Sequence, residues 1–155
     1  MVEANPAANA LAVALRVEDL RHLPNVIERT RRYFDLAADP LPIAAHLSRD
    51  PVLRRQLRRV PGIRIPGAWS MFELAVRAIL GQQVSVKAAT TFAARLVTAH
   101  GSPLPAELDS SGALVRVFPS PTALIRIDLT RIGVVRARAR AINALADAMH
   151  ANVDL

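Results

Sequence analysis

The stretch PGAWSMFELAVRAILGQQVS, residues 66–85, decides how this chain is read. Ser70 and Glu73 stand three apart just ahead of an apolar run. That is the pattern of a capping box, in which a hydroxyl and a carboxylate satisfy free amides of the first helical turn. The spacing predicts a helix over 71–80 that is apolar except for Glu73 and Arg77, an i, i+4 ion pair of favourable order. A helix that apolar belongs at the centre of a core. Gly81 is expected to close it. Gln82 and Gln83 follow as exposed amides, and Ser85 opens a second helix. The start of a helix presents free N–H groups and a partial positive charge, which suits a phosphate. Two glutamines just before it can reach base edges or fill a gap in a base stack. On the residues alone, a plain helix–helix turn is the simpler reading.

Downstream, the second helix places Ala88, Ala89, Phe92, Ala93 and Leu96 inward and Lys87, Thr91, Arg95 and Thr98 outward, and it ends at His100-Gly101. A Pro/Gly/Ser-rich loop follows over 102–113, and Ser120-Pro121 caps a short helix expected over 121–127. After Gly133, a last helix carries Val135, Ala139, Ile142, Ala146 and Met149 on one stripe, with Arg136, Arg140, Asn143 and Asp147 opposite.

Upstream, residues 26–37 read as a helix, and Asp39-Pro40 and Asp50-Pro51 cap two more, over 40–48 and 51–58. Residues 10–17 alternate Leu11, Val13, Leu15 and Val17 with a period of two, the pattern of a strand, although Ala and Leu also favour a helix. No second strand follows. The strand either pairs with another chain or is the edge of a sheet whose other strands are missing. Fold class is therefore all-α with a remnant strand, divided into 1–22 and 23–155.

The chain has 155 residues, and at 52% hydrophobic it can build a core of one domain or slightly more. Aromatics are 4%, so that core is aliphatic, the composition of packed helices rather than of a β-sandwich. The absence of cysteine excludes disulfide scaffolds, thiolate zinc sites, iron–sulfur clusters and cysteine nucleophiles. Twenty basic residues against 13 acidic ones give a net charge of +7, which points to a polyanionic partner, usually nucleic acid. All the basic residues but Lys87 are arginine, a bias that the coding composition of a genome explains. They cluster as Arg49, Arg54, Arg55, Arg58, Arg59 and Arg64, and again as Arg126, Arg131, Arg136, Arg138 and Arg140.

His22, His46, His100 and His150 lie far apart without metal-ligand spacing, so no metal is expected. There is no G-x-S-x-G elbow, and six scattered glycines make no phosphate cradle. No apolar run is long enough to span a bilayer, and the first ten residues lack a basic segment ahead of their apolar stretch. The expectation is a soluble, reduced, cytoplasmic, helix-rich chain with no cofactor.

Val60-Pro61-Gly62-Ile63-Arg64 imitates the phosphate-gripping hairpin of a helix-hairpin-helix module. Arg64 replaces the second glycine, however, and Ile65-Pro66-Gly67 stops a second helix from starting. The segment reads as an ordinary loop.

From Arg64 to Ser85 the chain resembles the 3-methyladenine DNA glycosylase II family of the helix-hairpin-helix DNA glycosylase superfamily. It matches the signature R-I-P-G-x-x-x-x-F-E-x-x-V-R-A-I-L-G-Q-x-V-S. Phe118-Pro119-Ser120-Pro121 and Ile132-Gly133-Val134-Val135-Arg136-Ala137-Arg138-Ala139 are similar to the family's later F-P-T-P and L-G-…-R-A segments. The strand at 10–17 resembles the last strand of the family's N-terminal sheet domain. The likeness covers about residues 10–150.

The resemblance implies the helical core of that fold and a part in base-excision repair, the hydrolytic removal of alkylated bases from duplex DNA. It implies that Gln83 fills the gap left by a flipped base, framed by Gln82, Val84 and Ser85. The amides around Ser85, with Lys87, would lie near phosphates. Trp69 would line an interdomain cleft or anchor a core. The family's L-P-G-I-G-x-W-T-A hairpin, its catalytic Asp and most of its aromatic base pocket would follow the last helix present here. None of the 13 acidic residues lies in the matching context, so no catalytic residue is assigned. The chain is thus expected to be an internal piece of a glycosylase, such as a shortened gene product or one half of a split enzyme, inactive alone. A second chain or the missing segments would then supply the hairpin and the Asp. The alternatives are a non-catalytic DNA-binding or regulatory fragment, and a helical interaction module with no DNA role.

Overall fold

The computed structural model describes residues 2–5, 10–15, 19–108 and 115–151. Two compact units divide the chain, Met1–Trp69 and Ser70–Leu155. Arg16 and Val17 of the expected strand, and residues 109–114 of the expected loop, lie outside the described residues.

In the first unit, β1 (Val2–Asn5) pairs antiparallel with β2 (Ala10–Val13), Val2 facing Val13 and Asn5 facing Ala10. The strand at residue 10 therefore has a partner within its own chain, one that precedes it. Val-Glu-Ala-Asn has one β-branched residue and no apolar alternation, so it carries almost no strand signal. Helix α1 (Leu23–Tyr33) places Pro24 in its first turn, where the missing N–H costs nothing. It stops short of residue 37 because Asp35 takes a left-handed conformation at φ 52, which a short polar side chain tolerates. Helices α2 (Pro40–Leu47) and α3 (Pro51–Arg59) begin where the Asp-Pro pairs place them. Asp39 accepts from the Leu41 amide at 2.9 Å, and Asp50 accepts from those of Val52 and Leu53 at 2.7 and 3.0 Å.

The Pro-Gly segment after α3 is a loop, as its composition implies, with Gly62 left-handed at φ 69. It is clasped to the end of α1. Arg64 Nη1 donates to the carbonyls of Asp35 and Ala38, and the Ile65 amide donates to the Asp35 carboxylate. The Gly67 amide donates to the Tyr33 carbonyl at 2.9 Å. A methyl on Gly67 would sit 2.7 Å from the Arg32 carbonyl oxygen, so the chain comes closer here than any larger residue allows.

In the second unit, α4 (Met71–Gly81), α5 (Val86–His100) and α6 (Arg136–Ala151) surround one aliphatic core. Phe72, Val76 and Leu80 of α4, Ala93 and Leu96 of α5, and Ala139, Ile142 and Ala146 of α6 are buried together with Leu124, Leu129 and Val134. The last helix keeps only the middle of its expected stripe. Val135 and Met149 are exposed. Asn143 turns partly inward, its Nδ2 donating to the Ile127 carbonyl at 3.0 Å. A two-residue ladder joins β3 (Ser102–Pro103) to β4 (Arg116–Val117). The helix expected over 121–127 is a single 3-10 turn, Thr122–Leu124. Ser120 does start it, accepting from the Ala123 amide at 3.3 Å, but Ile125 is extended and Arg126 left-handed at φ 55, which ends it at once. A second 3-10 turn, Leu129–Ile132, ends on Gly133 at φ 90.

Candidate nucleic-acid interface

The candidate interface is the turn from α4 to α5. Ser70 Oγ accepts from the Glu73 amide at 3.3 Å, which is half of the expected capping box. The Glu73 carboxylate turns the other way and takes Arg77 Nε at 2.7 Å, the i, i+4 pair the spacing implied. Arg77 also lies over the Phe118 ring, 5.5 Å from its centroid. Both partners are solvent-exposed to about a third or more, so this pair orients more than it stabilises.

Gly81 does not make the turn. It is the last residue of α4, facing the Ala89 side chain of α5. Gln82 is extended, and Gln83 carries the left-handed conformation at φ 52. Placing it at a residue with a Cβ costs about 1 kcal/mol or more and is held only by its surroundings. Gln82, Gln83, Ser85 and Lys87 are exposed, while Val84 is half-buried and anchors the turn from within. Ser85 Oγ accepts from the Ala88 amide at 3.2 Å, capping α5, whose first two residues, Val86 and Lys87, are exposed. Lys87 stands in that first turn. The five residues expected from the sequence thus form one continuous feature on the surface.

One partner of this turn carries little sequence signal. Arg138, in the first turn of α6, donates from Nη2 to the Gln82 carbonyl at 2.6 Å. The sequence marks it only as one of the second arginine cluster and of the L-G-…-R-A-like segment, at a helix start where cations oppose the dipole, and not as a partner of the turn. A cavity of about 220 Å³ beside the turn is lined by Arg77, Gly81, Val84, Val86, Ala89 and Thr90. It falls below the roughly 300–1,000 Å³ usual for ligand pockets. A larger cavity of about 800 Å³ lies in the first unit, against Leu11, Phe34 and Leu36 with Arg31 and Arg64. Among the described residues, no acid lines it.

Trp69 is 45% exposed, edge-on to Tyr33 at 6.4 Å with Arg29 over its ring at 5.9 Å. It is a partial anchor and not a buried one. Arg64 and Arg54 of the first basic cluster are engaged by backbone carbonyls. Asp128 accepts from the Thr130 hydroxyl at 2.5 Å and from its amide at 3.1 Å. These bonds, the hydroxyl first, hold its carboxyl below the usual carboxylate range, with Arg131 and Arg136 adding to the effect. Among the described residues, no three His, Asp or Glu side chains gather into a metal-binding group, and no helix is long and apolar enough to cross a membrane.

Residues 1–70 match the family described as the AlkA N-terminal domain. A Mycobacterium tuberculosis protein named "Probable bifunctional transcriptional activator/DNA repair enzyme AlkA" is 45% identical over 145 residues, 94% of this chain and 29% of that protein. Over most of its length the chain is similar to AlkA-type 3-methyladenine DNA glycosylases. The Escherichia coli protein named DNA-3-methyladenine glycosylase 2 is 35% identical over 125 residues, 79% of this chain and 40% of its own length. Among solved structures, the 3-methyladenine DNA-glycosylase of Archaeoglobus fulgidus superposes with a TM-score of 0.73 at 25% identity, covering 94% of this chain and 50% of that one. The helical body with a small N-terminal sheet is thus that of the AlkA-like, helix-hairpin-helix glycosylase fold. The chain spans 29% to 40% of the length of these two curated AlkA-family relatives.

Proposed function

We propose that this chain is the DNA-engaging part of a base-excision repair glycosylase for alkylated bases, and that the α4–α5 turn is its lesion wedge. The observation that carries this is Gln83. It is exposed, held left-handed at the apex of the turn, and followed within four residues by a capped helix start and a lysine. Flipping a base costs a few kcal/mol of unstacking, least at a damaged pair, and a side chain entering the gap returns part of that. Gln83 is the wedge, Gln82 and Val84 hold it, and the Ser85-capped amides with Lys87 take the flanking phosphates.

The reaction served is N-glycosidic hydrolysis. A carboxylate stabilises the cationic sugar while water attacks its anomeric carbon, leaving an abasic site. Neither metal nor cofactor takes part. The partner is duplex DNA bearing damaged bases, which fits a cytoplasmic location beside the chromosome. Segments of the protein outside these residues, or a second chain, carry the hairpin and the catalytic acid that complete the site.

The test is affinity for a short labelled duplex holding a tetrahydrofuran abasic analogue, compared with the same duplex intact. The chain is expected to prefer the abasic duplex, and Gln83→Ala to lower that preference about five-fold, the loss of one side chain's contacts in the gap. An unchanged preference rejects the wedge. A helical interaction module without a DNA role would bind neither duplex, even at low salt.

A further inference from the structure

We infer that Arg138 is a positioning residue for the wedge, holding the left-handed turn at Gln83 in its inserting form. This rests on the wedge reading above. The last carbonyls of a helix lack partners within it, and the Gln82 carbonyl lies just past the end of α4. Arg138 Nη2 reaches it at 2.6 Å from a helix 56 residues away in sequence. A bond donated by a cation is shorter and stronger than a neutral one.

The local ties on the turn are weaker. The Gln82 amide reaches the Ile79 carbonyl at only 3.4 Å, and the Ser85 cap acts two residues beyond Gln83. A non-glycine residue at φ 52 relaxes unless it is held from both sides, and Arg138 holds the upstream side. Helix stability does not account for the arginine. The first turn of α6 contains no acid, so Arg136, Arg138 and Arg140 crowd the positive end of their own helix. Arg138 is half-buried, its guanidinium committed to the turn. Removing it frees the turn to exchange between conformations, so that the wedge must be ordered at the moment of binding.

The abasic and intact duplexes are bound by the full chain carrying Arg138→Ala, Arg138→Lys or Gln83→Ala, and backbone 15N order parameters are measured at Gln82 and Gln83. Expected is a roughly five-fold fall in abasic preference for Arg138→Ala, about what removal of the wedge side chain itself produces, with most of the preference kept by Arg138→Lys. Order parameters at the two glutamines are expected to drop from rigid values near 0.85 to below about 0.6 in Arg138→Ala, while those of Leu96 and Ile142 stay rigid and show the fold intact. Equal loss on both duplexes with the ratio unchanged would mean a phosphate contact only, and overturns the inference. So does a rigid turn in Arg138→Ala. If Gln83→Ala alone removes the preference, the wedge stands and the role of Arg138 falls. If Gln83→Ala keeps it, the wedge falls, and the order parameters still decide whether Arg138 holds the turn.

Discussion

Arg116 closes the end of α5 through Gly101, its Nη1 donating to the Gly101 carbonyl at 2.7 Å. The Gly101 amide donates in turn to the Val97 carbonyl at 2.8 Å, and β4 passes directly over the glycine. A methyl there would sit 2.5 Å from the Val117 carbonyl oxygen and 2.6 Å from that of Val97.

Gly101→Ala is therefore expected to destabilise the chain by about 2 kcal/mol, because backbone and not a flexible side chain must move. Thermal or urea unfolding measures it. A change within about 0.5 kcal/mol, the range of ordinary surface substitutions, contradicts the close approach.

Four helix starts are legible in the sequence, at Asp39, Asp50, Ser70 and Ser85, because each cap acts within three residues of chain. The inward faces of α4 and α5 are legible for the same reason, a 3.6-residue repeat written locally. What escapes depends on distant partners. Val2–Asn5 is a strand only because Ala10–Val13 lies beside it. The helix expected after Ser120 shrinks to one turn where Arg126 turns left-handed. At the site, the motif names the glutamines and Ser85 but not their conformation. Gly81 is the natural residue for a left-handed turn, yet Gln83 adopts it while Arg138 reaches in from 56 residues away.

Asp128 should leave its mark on acid stability. Its folded carboxyl titrates below the ordinary value of 3.8, so the folded chain favours the ionised form. The resulting stabilisation is fully present above that ordinary value and is lost as pH falls through the lower folded one. Melting temperatures of wild type and Asp128→Asn are expected to differ slightly at neutral pH and to converge in acid. A gap that widens on acidification contradicts the assignment. The carboxylate is exposed, and the effect is correspondingly small.

Catalysis gives a separate outcome. No acid of this sequence sits in the context of the family's catalytic aspartate, and Asp128 is tied up as the cap of a 3-10 turn. Incubated alone with methylated duplex DNA, the chain is expected to release no 3-methyladenine or 7-methylguanine. Release above the buffer rate, abolished by Asp128→Asn, would assign that residue a catalytic role.

The most direct single measurement is a 15N NMR titration of the chain with the abasic-analogue duplex at low salt. The largest amide shifts are expected over Gln82, Gln83, Val84, Ser85 and Lys87, with weaker ones at the first turn of α6. Shifts confined to the arginine-rich α3, or the absence of any, would contradict the α4–α5 turn as the element that meets DNA.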